Sequence, residues 1–166
     1  MAGKRPTAPR TASAAQRPTL SVGVAQPVLI SLDVAANALA HAAAVRAAGA
    51  RIMVFPELSL TGYELDAPAI ASDDPRLAPI VEACAETGAI ALVGAPFRDE
   101  GGAEFIAMLV VDGDGVRVAY RKVWLGEVEQ ERVAGGILFG DCVTPLLACD
   151  RAILGGHCAG DPRHPM

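Results

Sequence analysis

The sequence predicts an α/β layered domain built around a mixed sheet. Three observations carry that expectation. Apolar runs of strand length alternate with helix-length segments in the order strand, helix, strand, helix, strand. Each helix-length segment opens near an aspartate or a proline and closes on a glycine, Gly49 for the first and Gly88 for the second. A last pair of apolar runs is joined through Asp112-Gly113-Asp114-Gly115, a hairpin signal. At 166 residues the chain has room for one domain with a sizeable core.

The elements follow in order. TLSVGVAQ, from Thr19, alternates apolar with small or polar residues and ends near Pro27, so it reads as the first strand. Asp33 is the expected N-cap of an Ala-rich helix that runs to about Ala48. Ile52 to Phe55 form an unbroken apolar run, as in a strand covered on both faces. Pro56 cannot donate to a ladder and marks that strand's exit. A second helix is expected from about Pro75 to Glu86, followed by the buried strand AIALVGAPF. EFIAMLVVDGDGVRVAYRK supplies the hairpin. A dinucleotide-binding domain is the obvious rival, but no Gly-x-Gly-x-x-Gly follows the first strand, whose exit is Ala25-Gln26-Pro27. His41 is expected at the surface or boundary of its helix, and Cys84 in the core.

Composition narrows the function classes. A net charge of −5 argues against a general nucleic-acid binder, so no nucleic-acid partner is expected. No apolar run reaches membrane-spanning length, so no membrane partner is expected either. Residues 1–18 hold Lys4, Arg5, Arg10 and Arg17 with no acidic residue and no apolar h-region, which reads as a disordered basic tail rather than a secretory signal. With four cysteines and no such signal, reduced thiols and a cytoplasmic location are the expectation. Residues 19–133 read as the folded domain. Residues 134–166 change character: they contain neither Lys nor Glu, yet hold three of the four cysteines and two of the three histidines. A truncation or a shift of reading frame is the expectation this break suggests. The Cys and His spacing there fits no common zinc pattern, so no metal is expected.

The chemistry centres on strand exits. In IMVFPELSLTGYE, Glu57 sits just past a buried strand, where open α/β sheets tend to keep their active sites. Capping of the following turn is the alternative role for it. Lys122 ends the hairpin's second strand in the same way, and a lysine there is otherwise a solvated flank. A thiolate added to such a pair would complete a set of roles. The thiolate attacks an electrophilic carbon, the carboxylate shuttles its proton, and the ammonium stabilises the oxyanion.

With VFPELSLTGYE and YRKVWL in this order, separated by LVGAPF and the hairpin, the chain resembles the nitrilase, or carbon-nitrogen hydrolase, superfamily. The resemblance covers residues from about 19 to 133. It implies a four-layer α-β-β-α sandwich whose first half is present and whose second half is largely missing. It also implies Glu57 as general base, Lys122 as oxyanion stabiliser and no cofactor. The nucleophile it implies is Cys158, in RAILGGHCAGDPRHP, although Asp161 follows at three residues where the family has two. Glu131 falls where the family often has an acidic residue that positions substrate or lysine, with Gly135 replacing the usual proline; Glu129 is the competing candidate. Tyr63 and Trp124, in the two motifs, are further substrate-positioning candidates, with packing as the alternative for Trp124. The implied partner is a small-molecule amide or nitrile, and a homodimer is compatible with the resemblance. The implied activity is hydrolysis of a non-peptide amide, carbamoyl or nitrile bond through a thioester. A catalytically inactive fragment, or a subunit that needs a partner chain, is the competing expectation.

Overall fold

In the computed structural model, which describes residues 19–131 and 133, the elements come in the expected order. They are β1 (Val22–Val24), α1 (Val34–Ala48), β2 (Ile52–Val54), α2 (Ala78–Thr87), β3 (Ile90–Arg98), β4 (Glu104–Asp112), β5 (Gly115–Arg121) and the single turn α3 (Glu127–Gln130). The helix boundaries follow from local chemistry. Asp33 accepts the Ala36 N–H at 3.0 Å, satisfying one of the donors a helix start leaves unpaired. Gly49 closes α1 in the left-handed region at φ 60°, where a side chain would be strained. The second helix begins later than expected because Pro75–Leu77 form a 3₁₀ turn, with Asp74 accepting the Arg76 N–H. Gly88 ends α2, donating its N–H to the Cys84 carbonyl at 2.8 Å.

The five strands lie in chain order, β1-β2-β3-β4-β5. β1, β2 and β3 are parallel, while β4 and β5 return antiparallel through the hairpin. That mixed order is not a doubly wound parallel sheet, so the dinucleotide-binding rival is set aside by topology as well as by its missing glycines.

One face of the sheet carries the core. Val34, Ala38, Ala42 and Val45 of α1 and Ile80, Ala83 and Cys84 of α2 pack with Met53, Val93, Ala95, Leu109 and Val111 of the sheet. Cys84 is buried as expected, its thiol 3.4 Å from the Val111 carbonyl. Burial pushes its pKa up to about 11, so it is an inert thiol at neutral pH. Strand alternation puts Val22, Val24, Val54 and Leu92 on the other face. There Val24 is 78% exposed and Val54 and Leu92 are only partly buried. The described residues thus supply one helix layer and one sheet, the first half of an α-β-β-α sandwich.

His41 departs from expectation. It is fully buried rather than at the surface or boundary, stacked against Phe55 with ring centroids 4.2 Å apart. Val34, Asn37, Ala38, His41, Ala42 and Val45 fall on the helical three-to-four spacing and share the buried face of α1.

Candidate active site at two strand exits

β2 is parallel to β3, and two antiparallel steps bring β5 back to the same direction. Glu57 and Lys122 therefore leave the same end of the sheet. Three strand spacings still separate β2 from β5, roughly 14 Å at ordinary sheet geometry. The turn after β2 and the lysine side chain close that gap.

The turn is built tightly. Leu58, directly after Glu57, adopts left-handed backbone at φ 52°, a conformation that costs a non-glycine residue about 1–2 kcal/mol. The surroundings hold it there. Its side chain is buried, and its carbonyl accepts the N–H groups of Thr61 and Tyr63, each at 3.0 Å, and the Thr61 hydroxyl at 3.1 Å. Ser59, Leu60 and Thr61, which follow as a 3₁₀ turn, are also buried. No side chain caps this turn, and the Glu57 carboxylate goes to Lys122 instead.

Behind the turn lies a buried polar network. His41 Nδ1 is 2.6 Å from the Asn37 carbonyl, and His41 Nε2 is 2.9 Å from the Ser59 hydroxyl. A carbonyl can only accept, so a neutral His41 carries its proton on Nδ1 and accepts from Ser59 at Nε2. Burial lowers the His41 pKa, against the opposing bond to Asn37, and favours that neutral form. Asn37 Nδ2 donates to the carbonyls of Ile30 and Leu60, and its Oδ1 accepts the Ile30 N–H at 2.7 Å.

Lys122 sits between two carboxylates. Its backbone N–H still pairs with the Ile106 carbonyl of β4 at 2.8 Å. Its Nζ lies 3.0 Å from Glu57 Oε1 and 2.8 Å from Glu129 Oε1. Glu129 Oε2 accepts the Gly126 N–H at 2.7 Å, which fixes that carboxylate. Partial burial works against the ammonium charge, but the bonds from Glu129 and Glu57 outweigh it and hold the Lys122 pKa above its ordinary value. The Lys122 bond, then the Gly126 N–H, depress that of Glu129. A fixed cation therefore stands beside the Glu57 carboxylate, which remains partly exposed to solvent.

Of the residues singled out in the sequence, the structure brings Glu57 and Lys122 together. The second carboxylate on the lysine is Glu129, the competing candidate, while Glu131 is exposed at the end of α3. The reason is local. Glu129 sits three residues past Gly126 and reaches back over the first turn, whereas Glu131 lies beyond the last one. Tyr63, at φ 69°, and Trp124 are 63% and 87% exposed, so neither packs in the core; for Trp124 the packing alternative is not realised. Cys158 lies outside the described residues. Among the described residues no group of His, Cys, Asp or Glu could hold a metal ion. Sequence reasoning missed Asn37, His41 and Ser59, although the spacing of the first two along α1 marks them as core positions.

Comparison with known proteins matches residues 12–165 to the carbon-nitrogen hydrolase family model. The chain belongs to the carbon-nitrogen hydrolase family. A curated relative, "Hydrolase in pqqF 5'region" of Pseudomonas protegens, is 31% identical over 126 residues, covering 71% of this chain and 44% of that protein. The chain thus spans less than half the length of this relative. A CN-hydrolase superfamily protein from Xanthomonas campestris, solved with an arsenic adduct in its active site, matches at TM-score 0.61 and 25% identity. That match covers 70% of this chain and 46% of the solved one. The NitN amidase of Nesterenkonia sp. AN1 matches at TM-score 0.59 and 20% identity over 71% of this chain and 50% of its own, a likeness of fold. No described helix is long and apolar enough to cross a membrane.

Proposed function

We propose that this carbon-nitrogen hydrolase cleaves a small amide, carbamoyl or nitrile compound through a thioester, with Glu57 as general base, Lys122 as oxyanion stabiliser and Cys158 as nucleophile. One observation carries the proposal: Lys122 Nζ is held within hydrogen-bond reach of both Glu57 and Glu129. A lysine so held presents a positive charge at a defined place before substrate arrives, as oxyanion stabilisation requires. The family match extends through position 158, which supports the assignment of the cysteine. The solved amidase of Nesterenkonia supports an amide as the first substrate to try.

With an amide, the leaving group is ammonia or an amine. The Cys158 sulfur attacks the carbonyl carbon while its proton passes to Glu57. The oxygen gains the negative charge and is met by Lys122. The tetrahedral species collapses, the C–N bond breaks, and Glu57 returns the proton to the departing amine. Glu57 then takes a proton from water as the water oxygen attacks the thioester. The C–S bond breaks, the acid leaves, and Glu57 returns its proton to the Cys158 sulfur, restoring the thiol.

The test pairs turnover with labelling. Ammonia release from an amide and nitrile panel should fall at least ~100-fold in Lys122→Ala. Iodoacetamide should label Cys158 faster than the other thiols, as mapped by mass spectrometry. Undiminished turnover in the variant removes Lys122 from the mechanism. A second reading, a subunit that needs a partner chain, is favoured by the apolar sheet face on which Val24 is 78% exposed. Equal labelling of Cys142, Cys149 and Cys158 without turnover, with the buried Cys84 left unlabelled, would support it.

A further inference from the structure

Gly94 lies on β3 opposite Met108 of β4, between the strand that ends at Glu57 and the strand that ends at Lys122. Its neighbours Val93 and Ala95 face the helix layer, so alternation sets Gly94 on the other face. There the backbone of the Glu57 turn crosses it. A Cβ on Gly94 would come within 2.5 Å of both the Leu58 nitrogen and the Pro56 carbonyl oxygen, and 2.7 Å of Glu57 Cα. These are backbone atoms, so no side-chain rotation relieves the clash. The turn is also tied to α1, through the 2.9 Å bond between Ser59 and His41, whose ring is itself fixed by Asn37 and Phe55, and through the Asn37 bond to the Leu60 carbonyl.

We propose that Gly94 and the Ser59–His41 pair are the positioning residues of Glu57: the missing side chain lets the turn lean across β3 toward Lys122, and the buried hydrogen bond stops it from rocking back. The geometry of the gap supports this. Glu57 starts at β2 and meets a lysine that starts at β5, so the turn must pass over the strands between them. A methyl group at Gly94 lifts the Glu57 backbone by at least several tenths of an ångström, and displacement on the order of 1 Å costs an enzyme about 100-fold in turnover. Neither Gly94 nor His41 touches the reacting atoms; both act through Glu57.

This proposal rests on the role given to Glu57 above, so its test reads the Glu57–Lys122 pair without turnover. The chain has only two lysines, Lys4 and Lys122, so lysine labelled with ¹³C gives two titrating signals in the full-length protein. Glu57→Gln should lower the Lys122 midpoint by removing one of the carboxylates that raise it. Gly94→Ala should lower it by a similar amount, and adding Glu57→Gln to that variant should lower it little further. Gly23→Ala is the control, since a Cβ there meets the flexible end of Met53 rather than backbone, and should leave the midpoint in place. Should Gly94→Ala fail to fold, Ser59→Ala carries the test, with a smaller shift in the same direction that Ser59→Thr restores. A Lys122 midpoint unchanged in the folded Gly94→Ala protein, or in Ser59→Ala where that variant decides, overturns the proposal. If amide turnover is found, Gly94→Ala should lose about 100-fold in kcat with KM little changed. A chain with no turnover at all but with the expected titration keeps the positioning role and sinks only the proposed reaction.

Discussion

The residues after Glu57 and the residues after Lys122 are held in different ways. Leu58, Ser59, Leu60 and Thr61 are all buried, and their turn is tied to α1 through His41. Among the described residues beyond Lys122 the chain is near the surface, with Trp124 87% exposed and α3 only four residues long. What fixes the lysine is charge, through Glu57 and Glu129, together with one backbone bond to β4. The glutamate half of the site is therefore a property of the core, and the lysine half a property of its ion pairs. Damage to the first should appear as lost stability, and damage to the second as altered titration in a protein that is still folded.

The largest expected effect breaks the core side. Leu60→Ala empties a fully buried position and should cost about 2–5 kcal/mol in urea unfolding. A loss well under 1 kcal/mol would mean that the turn is not anchored by burial. Asn37→Ala should cost less, about 1–3 kcal/mol, because it strands the Ile30 N–H and the Leu60 carbonyl without their partner.

A third expectation concerns acid. Burial lowers the His41 pKa in the folded state, so the unfolded chain takes up the proton first. Stability from this group is fully present above the ordinary histidine value of 6.5 and is lost as pH falls below it toward the folded value. Urea midpoints across this window should fall toward acid, and His41→Gln should flatten that slope. A wild-type slope matched by the variant would assign the acid sensitivity to other groups. The smallest effect sharpens the surface side. Glu129→Gln should change stability by less than about 1 kcal/mol, as partly exposed ion pairs do. It should nevertheless lower the Lys122 midpoint measurably by NMR.

Much of the fold was legible because its signals are local. Asp33, Gly49, Gly88 and the Asp-Gly hairpin each act within a few residues, and each sits where the sequence puts it. Pairing of Glu57 with Lys122 was legible through two motifs in a known order. What stayed hidden depends on tertiary contact. In an Ala-rich helix the two faces differ little in polarity, so Asn37 and His41 resemble solvent-facing residues although they lie on the buried face. Glu129 and Glu131 differ in sequence by one intervening residue, and only the path of a four-residue helix decides which reaches the lysine. Gly94 looks like any strand glycine until the backbone that crosses it is seen, although an interior glycine is itself a hint of close approach.

The chain-order sheet has one more consequence. The carboxylate and the ammonium meet only if the β2–β3, β3–β4 and β4–β5 interfaces are all in register, including the shift between Met108 and Leu109 where β5 pairs with β4. A slip of one residue at any interface would turn a whole strand's side chains to the opposite face. The ion pair thus works as a parity check on the assembled sheet: it closes for one alignment of the strands and stays open for their near misses.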